Sequence, residues 1–424
     1  MSEWKRYKLG ELLRVKHGWA FKGEFFSDTG VQSILTPGNF YESGGFKANP
    51  SKDRFYSGDY PKEYLCSKGD LVVAMTEQAA GLLGSTAIVP EDNRYLHNQR
   101  IGLISCNESL NKDFAYYLFM TQSVRQQISR SASGTKVKHT SPEKIYDVQV
   151  DIPKIQTQKN IAIFLSLLDK KIQINNQINQ ELEAMAKTLY DYWFVQFDFS
   201  DQNGKPYKSS GGKMVYNPEL KREIPEGWGV EKLDDLGTVV GGSTPTKSIS
   251  DNFTKGGEGY SWITPNDLSN NKGNKFIKNG EIDVTVKGLK DASLKLYPEG
   301  TVLMSSRAPV GYLAIATKEL TTNQGFKSFI PDKKYGKNYI YYTLQNCLKV
   351  IEQNASGSTF KEISATVLKD IKVLQPNLEI VKKFEITVSS INNYIRDNEV
   401  QNQELTQLRD WLLPMLMNGQ VKVE

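Results

Sequence analysis

Two stretches of the chain carry apolar residues at alternating spacings of four and three. Between Ile155 and Phe194 the positions are Ile161, Leu165, Leu168, Ile172, Asn175, Asn179, Leu182, Ala186 and Leu189. Between Leu378 and Met417 they are Phe384, Val388, Ile391, Ile395, Asn398, Asn402, Leu405, Arg409 and Leu412. That pattern is the seam of a coiled coil. Gly is absent from both stretches, and Pro is absent until Pro414. At 1.5 Å per residue, roughly 40 residues predict a helix of about 60 Å. Both stretches place two Asn at the same heptad positions, so Asn175, Asn179, Asn398 and Asn402 are expected to fix the helix register. A seam Asn costs stability and is satisfied only opposite a matching partner. Two separate amphipathic helices, each docked on its own domain, are the plainer alternative.

The remainder follows a different pattern. Residues 1–152 and about 220–376 are rich in Gly, Tyr, Thr and Asn, with short apolar runs such as Asp70–Met75 and Thr301–Met304. Gly81, Gly84, Pro90, Gly300, Pro309 and Gly311 punctuate them. These stretches predict compact mixed domains with antiparallel strands. The expected fold is α+β: two pseudo-symmetric, β-containing domains separated by two long antiparallel coiled-coil helices. The boundaries predicted are 1–152 for the first domain, 153–199 for the first helical spacer, 200–227 for a linker, 228–376 for the second domain and 377–424 for the second spacer.

Internal repetition spans the chain. Trp4, Lys8, Leu9, Leu12, Val15 and Gly18 recur as Trp228, Lys232, Leu233, Leu236, Val239 and Gly242, an offset of 224. Thr36-Pro37 recurs as Thr264-Pro265, Asn98-Gln99 as Asn323-Gln324, and Tyr116-Tyr117 as Tyr341-Tyr342. Ala132-Ser133-Gly134 and Asn179-Gln180-Glu181-Leu182 return 223 residues later. The chain is a tandem duplication, and two copies paired antiparallel generate a pseudo-two-fold axis. Such a rod holds two similar domains at a fixed distance, which suits an extended ligand with two recognition points.

Composition narrows the chemistry. A length of 424 residues predicts two to four domains. Cys66, Cys106 and Cys347 are too few and too far apart for a disulfide framework or a Cys-x-x-Cys site. His17, His97 and His139 form no metal-binding pair. Gly204-Lys205, Gly212-Lys213 and Gly336-Lys337 lack the Ser or Thr of a Walker A loop. Asn49-Pro50 and Asn217-Pro218 do not continue into the Asn-Pro-Pro-aromatic tetrapeptide of adenine methyltransferases. The chain is therefore expected to carry no catalytic residues and no metal or cofactor of its own; an overlooked nuclease centre at Pro331-Asp332 is the competing enzymatic reading. The N-terminus lacks the apolar core of a signal peptide, and no segment is apolar enough to span a membrane, so a cytoplasmic protein is expected. Net charge is +2 over residues 1–152, +5 over 200–376, 0 over 153–199 and −2 over 377–424. Positive charge thus falls on the mixed domains, as contact with nucleic-acid phosphate requires.

At this point the residues resemble the specificity (DNA-recognition) subunit of type I restriction-modification systems. The resemblance covers nearly the whole chain. It rests on Ile224-Pro225-Glu226-Gly227-Trp228, on Tyr192-Trp193-Phe194-Val195-Gln196-Phe197-Asp198-Phe199, on Leu412–Val421 and on Ile152–Ala162. The second copy departs at Gln375–Val381, which lacks the Gln found at the first helix entry. The resemblance implies two target-recognition domains, each reading half of a split, asymmetric site in double-stranded DNA. It implies helices that set the gap and recruit two adenine-N6 methyltransferase subunits, with motor-nuclease restriction subunits joining. S-adenosylmethionine, ATP and Mg would belong to those partners. A stand-alone two-headed regulator or architectural protein is the alternative; the apolar side chains of Trp193, Phe194, Phe197, Phe199 and Trp411, more than one seam needs, argue against it.

Duplication also sorts the candidate contacts. If the copies read different sequences, shared residues maintain the fold or touch phosphate, and base readers differ. Thr36/Thr264, Asn98-Gln99/Asn323-Gln324 and the Ala-Ser-Gly loops are then scaffold or backbone contacts. Lys138 and Lys361, just after the shared Ser-Gly, are phosphate candidates. Unmatched polar residues near loops are base-reading candidates: Arg54, Gln78 and Lys136 in the first copy, Asn266, Arg307 and Lys327 in the second. Arg and Gln make bidentate bonds to base edges, whereas Lys more often meets phosphate. Tyr41, Phe55, Tyr260 and Trp262 are candidates for stacking on a displaced base, with core packing as the plainer role.

Overall fold

The order of the strands repeats the duplication. A computed structural model describes residues 4–48, 52–134, 137–307, 309–357 and 361–423. The chain divides into two compact units, Met1–Ile172 with Gln403–Glu424, and Gln173–Asn402.

In the first unit, a four-stranded antiparallel sheet runs in the order Leu13–His17, Ile101–Cys106, Leu71–Ala74, Thr86–Ile88. A second sheet has the order Phe26–Ser27, Phe55–Tyr56, Ser33–Ile34, Tyr95–Leu96, its last pair parallel. Lys5–Lys8 pairs with Gln149–Ile152 and closes the domain. The run Leu71–Ala74 is apolar at every position because both its faces are covered. Leu71 and Val73 face a core shared with Phe114, Phe119, Ile161 and Leu165, and Val72 and Ala74 face Leu35, Phe40 and Tyr95. Leu413, Leu416 and Met417, from the end of the second long helix, complete the first of these cores.

The second unit repeats this plan. Its main sheet runs Thr238–Val240, Ser328–Ile330, Val302–Met304, Leu313–Ala316, with Phe276–Ile277 added in parallel at the edge. The other sheet runs Phe253–Lys255, Ile282–Val284, Tyr260–Ile263, Thr321–Thr322, again ending in a parallel pair. Gly229–Lys232 with Lys372–Gln375 matches the closing ribbon. Val302 and Met304 face one core and Leu303 the other, as in the first copy. Residues 200–227 carry a hairpin, Met214–Asn217 with Arg222–Pro225.

The long helices are Ile155–Tyr190, which runs into a π-turn at Asp191–Val195, and Leu378–Met417. Every heptad seam position named from the sequence is buried or half-buried. Within the second unit, Asn175 Nδ2 donates to Asn402 Oδ1 at 2.9 Å, and Asn398 Nδ2 donates to Asn179 Oδ1 at 2.9 Å. As one residue number rises the other falls, so the helices are antiparallel. Within the first unit the same register continues at Asp169 and Arg409, 2.8 Å apart. The α+β expectation therefore holds.

One sequence argument is corrected. Phe194, Phe197 and Phe199 are buried in the second unit's core and Trp193 is half-buried against it; of the five aromatics counted as spare surface only Trp411 is exposed. The π-turn and the left-handed backbone at Phe197 (φ 69°) fold this segment back, so that Phe199 stacks between Tyr207 and Trp228. Among the described residues, no helix is long and apolar enough to cross a membrane.

Candidate nucleic-acid interface

Residues shared by both copies build the same local frame twice. Thr36 and Thr264 open matching turns: Thr36 N–H donates to Asn39 Oδ1 at 2.9 Å, and Thr264 N–H to Asp267 Oδ2 at 2.7 Å. Each Thr precedes a Pro at the first turn position, where a missing N–H costs nothing. Asn98 Oδ1 accepts the Arg100 N–H at 3.0 Å, and Asn323 Oδ1 accepts the Gly325 N–H at 2.8 Å. Gly18 and Gly242 lie where another segment's backbone crosses: a Cβ would sit 2.1 Å from Asn98 O in one copy and 1.6 Å from Thr322 O in the other. No side chain fits there. Gly134 (φ 101°) and Gly357 (φ 131°) both occupy the left-handed region, and the Ser before each bridges to His139 or Glu362.

The unmatched residues decorate this frame unevenly. In the second unit Asn266 is exposed on the first turn of the helix Pro265–Asn270, and Arg307 is half-buried. Arg307 and Pro265, the residue before Asn266, both approach Gly325: the Cβ that it lacks would lie 2.8 Å from the Pro265 ring and 3.4 Å from Arg307 Nε. Lys361 is exposed beside Glu362, whose backbone bridges to Arg307. Lys327 is half-buried directly before the strand Ser328–Ile330, its Nζ donating to Phe326 O at 3.3 Å. In the first unit Gln78 and Lys138 are both exposed and come together, since Glu77 N–H donates to Lys138 O at 2.9 Å. Lys138 Nζ also donates to Ser129 Oγ at 3.2 Å. Arg54 is exposed on the other sheet, where its carbonyl accepts the Ile34 N–H, and no described contact joins it to Gln78. Lys136 lies outside the described residues.

The aromatic candidates divide too. Tyr41 and Tyr260 are exposed, Phe55 is half-buried, and Trp262 is buried with its indole N–H donating to Ser243 O at 3.0 Å. Trp262 is therefore scaffold. Asp332 is likewise occupied, its carboxylate accepting the Thr238 N–H at 2.9 Å, which holds it below the usual carboxylate range. Burial pulls His97 down to about 4, so it stays neutral while its Nε2 bonds Ile101 O at 2.8 Å. Arg100, also unmatched between the copies, is an exposed cation beside this frame that the sequence argument does not name. The available signal was its place directly after the shared Asn98-Gln99, where the second copy has Gly325.

The model of a family described as "Type I restriction modification DNA specificity domain" matches twice, at residues 1–184 and 225–409. The type I restriction enzyme MjaIX specificity subunit of Methanocaldococcus jannaschii is 39% identical over 205 residues, 46% of this chain and 46% of that protein. This chain thus spans about half the length of that relative. The type I restriction enzyme HindI specificity subunit of Haemophilus influenzae is 26% identical over 475 aligned residues, covering 99% of this chain and 100% of that one. A crystal structure of the type I restriction-modification S subunit from M. genitalium matches with a TM-score of 0.57 at 16% identity, covering 98% and 96% of the two chains. At that identity it speaks for the fold alone.

Proposed function

This chain belongs to the family of type I restriction modification DNA specificity domains, and from that premise we propose that it reads a bipartite, asymmetric site in double-stranded DNA. One observation carries the reading: a single chain holds two copies of one β framework that share their fold-bearing residues and differ at exposed polar positions. Thr36/Thr264, Asn98/Asn323 and Gly18/Gly242 perform the same structural task in each copy. A shared frame with unlike decoration suits two different half-sites.

The chain recruits adenine-N6 methyltransferase subunits, two per chain, and through them ATP-dependent restriction subunits. S-adenosylmethionine, ATP and Mg act on those partners, and this chain is non-catalytic. A second apolar stripe supports recruitment. Ile163, Leu167, Ile174, Ile178 and Met185 are exposed at spacings of four and seven, outside the buried seam. Their twins Ile386 and Leu408 are exposed on the other helix. Apolar residues repeated at heptad spacing on an exposed face suit a helical partner surface. Asn175, Asn179, Asn398 and Asn402 set the helix register and with it the gap between half-sites.

The test is single-molecule mapping of N6-methyladenine in DNA from a methylation-free host that expresses this chain with a cognate methyltransferase. Two different short blocks at a constant gap are expected. A contiguous motif would remove the two-headed reading, and no modification despite a stable complex would favour a stand-alone DNA-binding regulator.

A further inference from the structure

The duplicated frame allows positions to be equated by their hydrogen bonds, without reference to sequence. In the first unit Met75 N–H donates to Arg100 O at 2.9 Å and Met75 O accepts the Thr140 N–H at 2.9 Å. In the second, Ser306 N–H donates to Gly325 O at 2.8 Å and Ser306 O accepts the Ile363 N–H at 3.0 Å. The next residues are bridged alike, Thr76 to His139 and Arg307 to Glu362. Arg100 therefore corresponds to Gly325, and Thr76 to Arg307. Each copy holds one arginine across this pair of positions, but at opposite members of it.

The exchange has a steric basis. Arg307 Nε lies 3.4 Å from where a Cβ on Gly325 would stand, so the Arg307 side chain passes over the glycine. In the first copy the position equivalent to Gly325 carries Arg100, which is exposed, and the position equivalent to Arg307 carries the short Thr76. Neither arginine side chain has a hydrogen bond or ion pair among the described residues, in contrast to Arg125, which bonds the Gly81, Leu83 and Glu42 carbonyls. An arginine held at equivalent places of the frame from either of two backbone positions marks a charge that suits a ligand common to both copies.

We propose that Arg100 and Arg307 are equivalent DNA contacts, one per domain, delivering a guanidinium to the same point of the frame, and that each binds backbone phosphate. The inference rests on the DNA-recognition reading above. Phosphate is favoured over a base edge by geometry. Bidentate reading of a base fixes the plane of the guanidinium fork, and two side chains rooted at different backbone positions approach one point from different directions. A phosphate accepts from a wide range of directions and is common to every half-site.

The experiment uses the full chain with its methyltransferase, bound to a duplex carrying the motif mapped for the wild type. Arg307→Thr and Arg100→Gly should each weaken binding about tenfold, equivalent to about 1.4 kcal/mol. Each should lower the slope of log affinity against log salt by about one, and neither should change the methylated motif. The transplants Arg307→Thr with Gly325→Arg, and Arg100→Gly with Thr76→Arg, should restore binding to within about threefold. Folded transplants as weak as their parent variants would overturn the shared location. Were the transplants unfolded, the single variants decide: an arginine whose loss leaves affinity and salt slope unchanged is no contact. An altered base preference in one half-site would make that arginine a base reader and overturn the phosphate assignment. Failure of the wild-type complex to bind or methylate DNA would instead sink the DNA-recognition reading itself.

Discussion

Replacing Lys275 with methionine tests how the second domain is fastened to the helices. Lys275 precedes the edge strand Phe276–Ile277, and its side chain is 4% exposed. Its ammonium donates to Glu183 Oε2 at 2.7 Å, to Asn392 Oδ1 at 2.9 Å and to the Tyr342 hydroxyl, and it faces the rings of Tyr341 and Tyr342 at 4.5 and 4.2 Å. Glu183 and Asn392 belong to different long helices, so one side chain binds both. Burial pulls the ammonium down to about 8, partly opposed by Glu183, so it remains charged at neutral pH. Methionine fills a similar volume but, among the described residues, leaves the Glu183 carboxylate with the Tyr342 hydroxyl alone, at 3.0 Å. Breaking a buried pair from one side costs about 3–5 kcal/mol. Glu183 is 30% exposed and regains some water, so Lys275→Met should cost about 2–3 kcal/mol. Lys275→Met with Glu183→Gln removes both charges and should recover most of that loss. Urea unfolding of the full chain, followed by tryptophan fluorescence, measures both variants. A single variant within about 0.5 kcal/mol of wild type, or a double variant no better than the single, would refute the argument that the charge pair is what holds this edge.

Three further outcomes are expected. Burial pushes Glu399, which accepts the Lys275 and Phe276 N–H groups at 2.6 and 3.1 Å, up to about 7 from 4.5. The folded state then binds the proton more tightly, so the contribution of this group is full below about pH 4.5 and about 3 kcal/mol of it is lost as pH rises through 7; Glu399→Gln should flatten the unfolding free energy over that window, and an unchanged slope would place the titration elsewhere. Asn179→Ala strips Asn398 Nδ2 of its 2.9 Å acceptor and should cost about 1–2 kcal/mol, whereas Asn179→Leu with Asn398→Leu should raise the urea midpoint while widening the range of gaps in the methylated motif. Deleting seven residues between Ile172 and Leu182 and seven between Ile391 and Leu405 shortens the paired helices by about 10 Å; the mapped gap should change or assembly fail, and full activity at the old gap would show that the helices are no ruler.

What the sequence disclosed depended on how far apart the cooperating residues lie. The seam was legible because its signal repeats every seven residues, and local periodicity survives whatever the domains do. Duplication made the frame legible, since Gly18 and Gly242 keep one steric demand at two addresses. Lys275 was invisible: its partners stand 92 residues before it and 117 and 124 after it, in no periodic relation. The aromatic run Trp193–Phe199 was misjudged because hydrophobicity alone does not distinguish spare surface from core; a π-turn and a positive φ at Phe197 decide that. The exposed stripe Ile163–Met185 has heptad spacing of its own but is masked once the stronger seam claims the helix. Arg100 was missed because a matched pair, Asn98-Gln99, drew attention away from the unmatched residue that follows it.

The antiparallel pairing of two copies has a consequence for how their residues correspond. Asn175 meets Asn402, and the twins of those residues, Asn398 and Asn179, meet each other. The two hydrogen bonds are one contact made twice, so a change at position 175 is answered at 402 and not at its own repeat, 398. The cores obey the same exchange. In the first unit Ile161 and Leu165 pack with Leu413, from the far end of the other helix. In the second, their twins Phe384 and Val388 pack with Tyr190, the twin of Leu413. Each unit therefore takes the start of its own copy's neighbouring helix and the end of the other. Neither domain can close its core from one copy of the repeat, because the completing residues belong to the opposite end of the duplicated sequence. Substitutions on exposed loops touch one copy of the repeat, while substitutions at these seam Asn positions touch residues of both copies. On the proposed reading, that division would let the loops of each copy diverge toward a different half-site while the helices keep a common register.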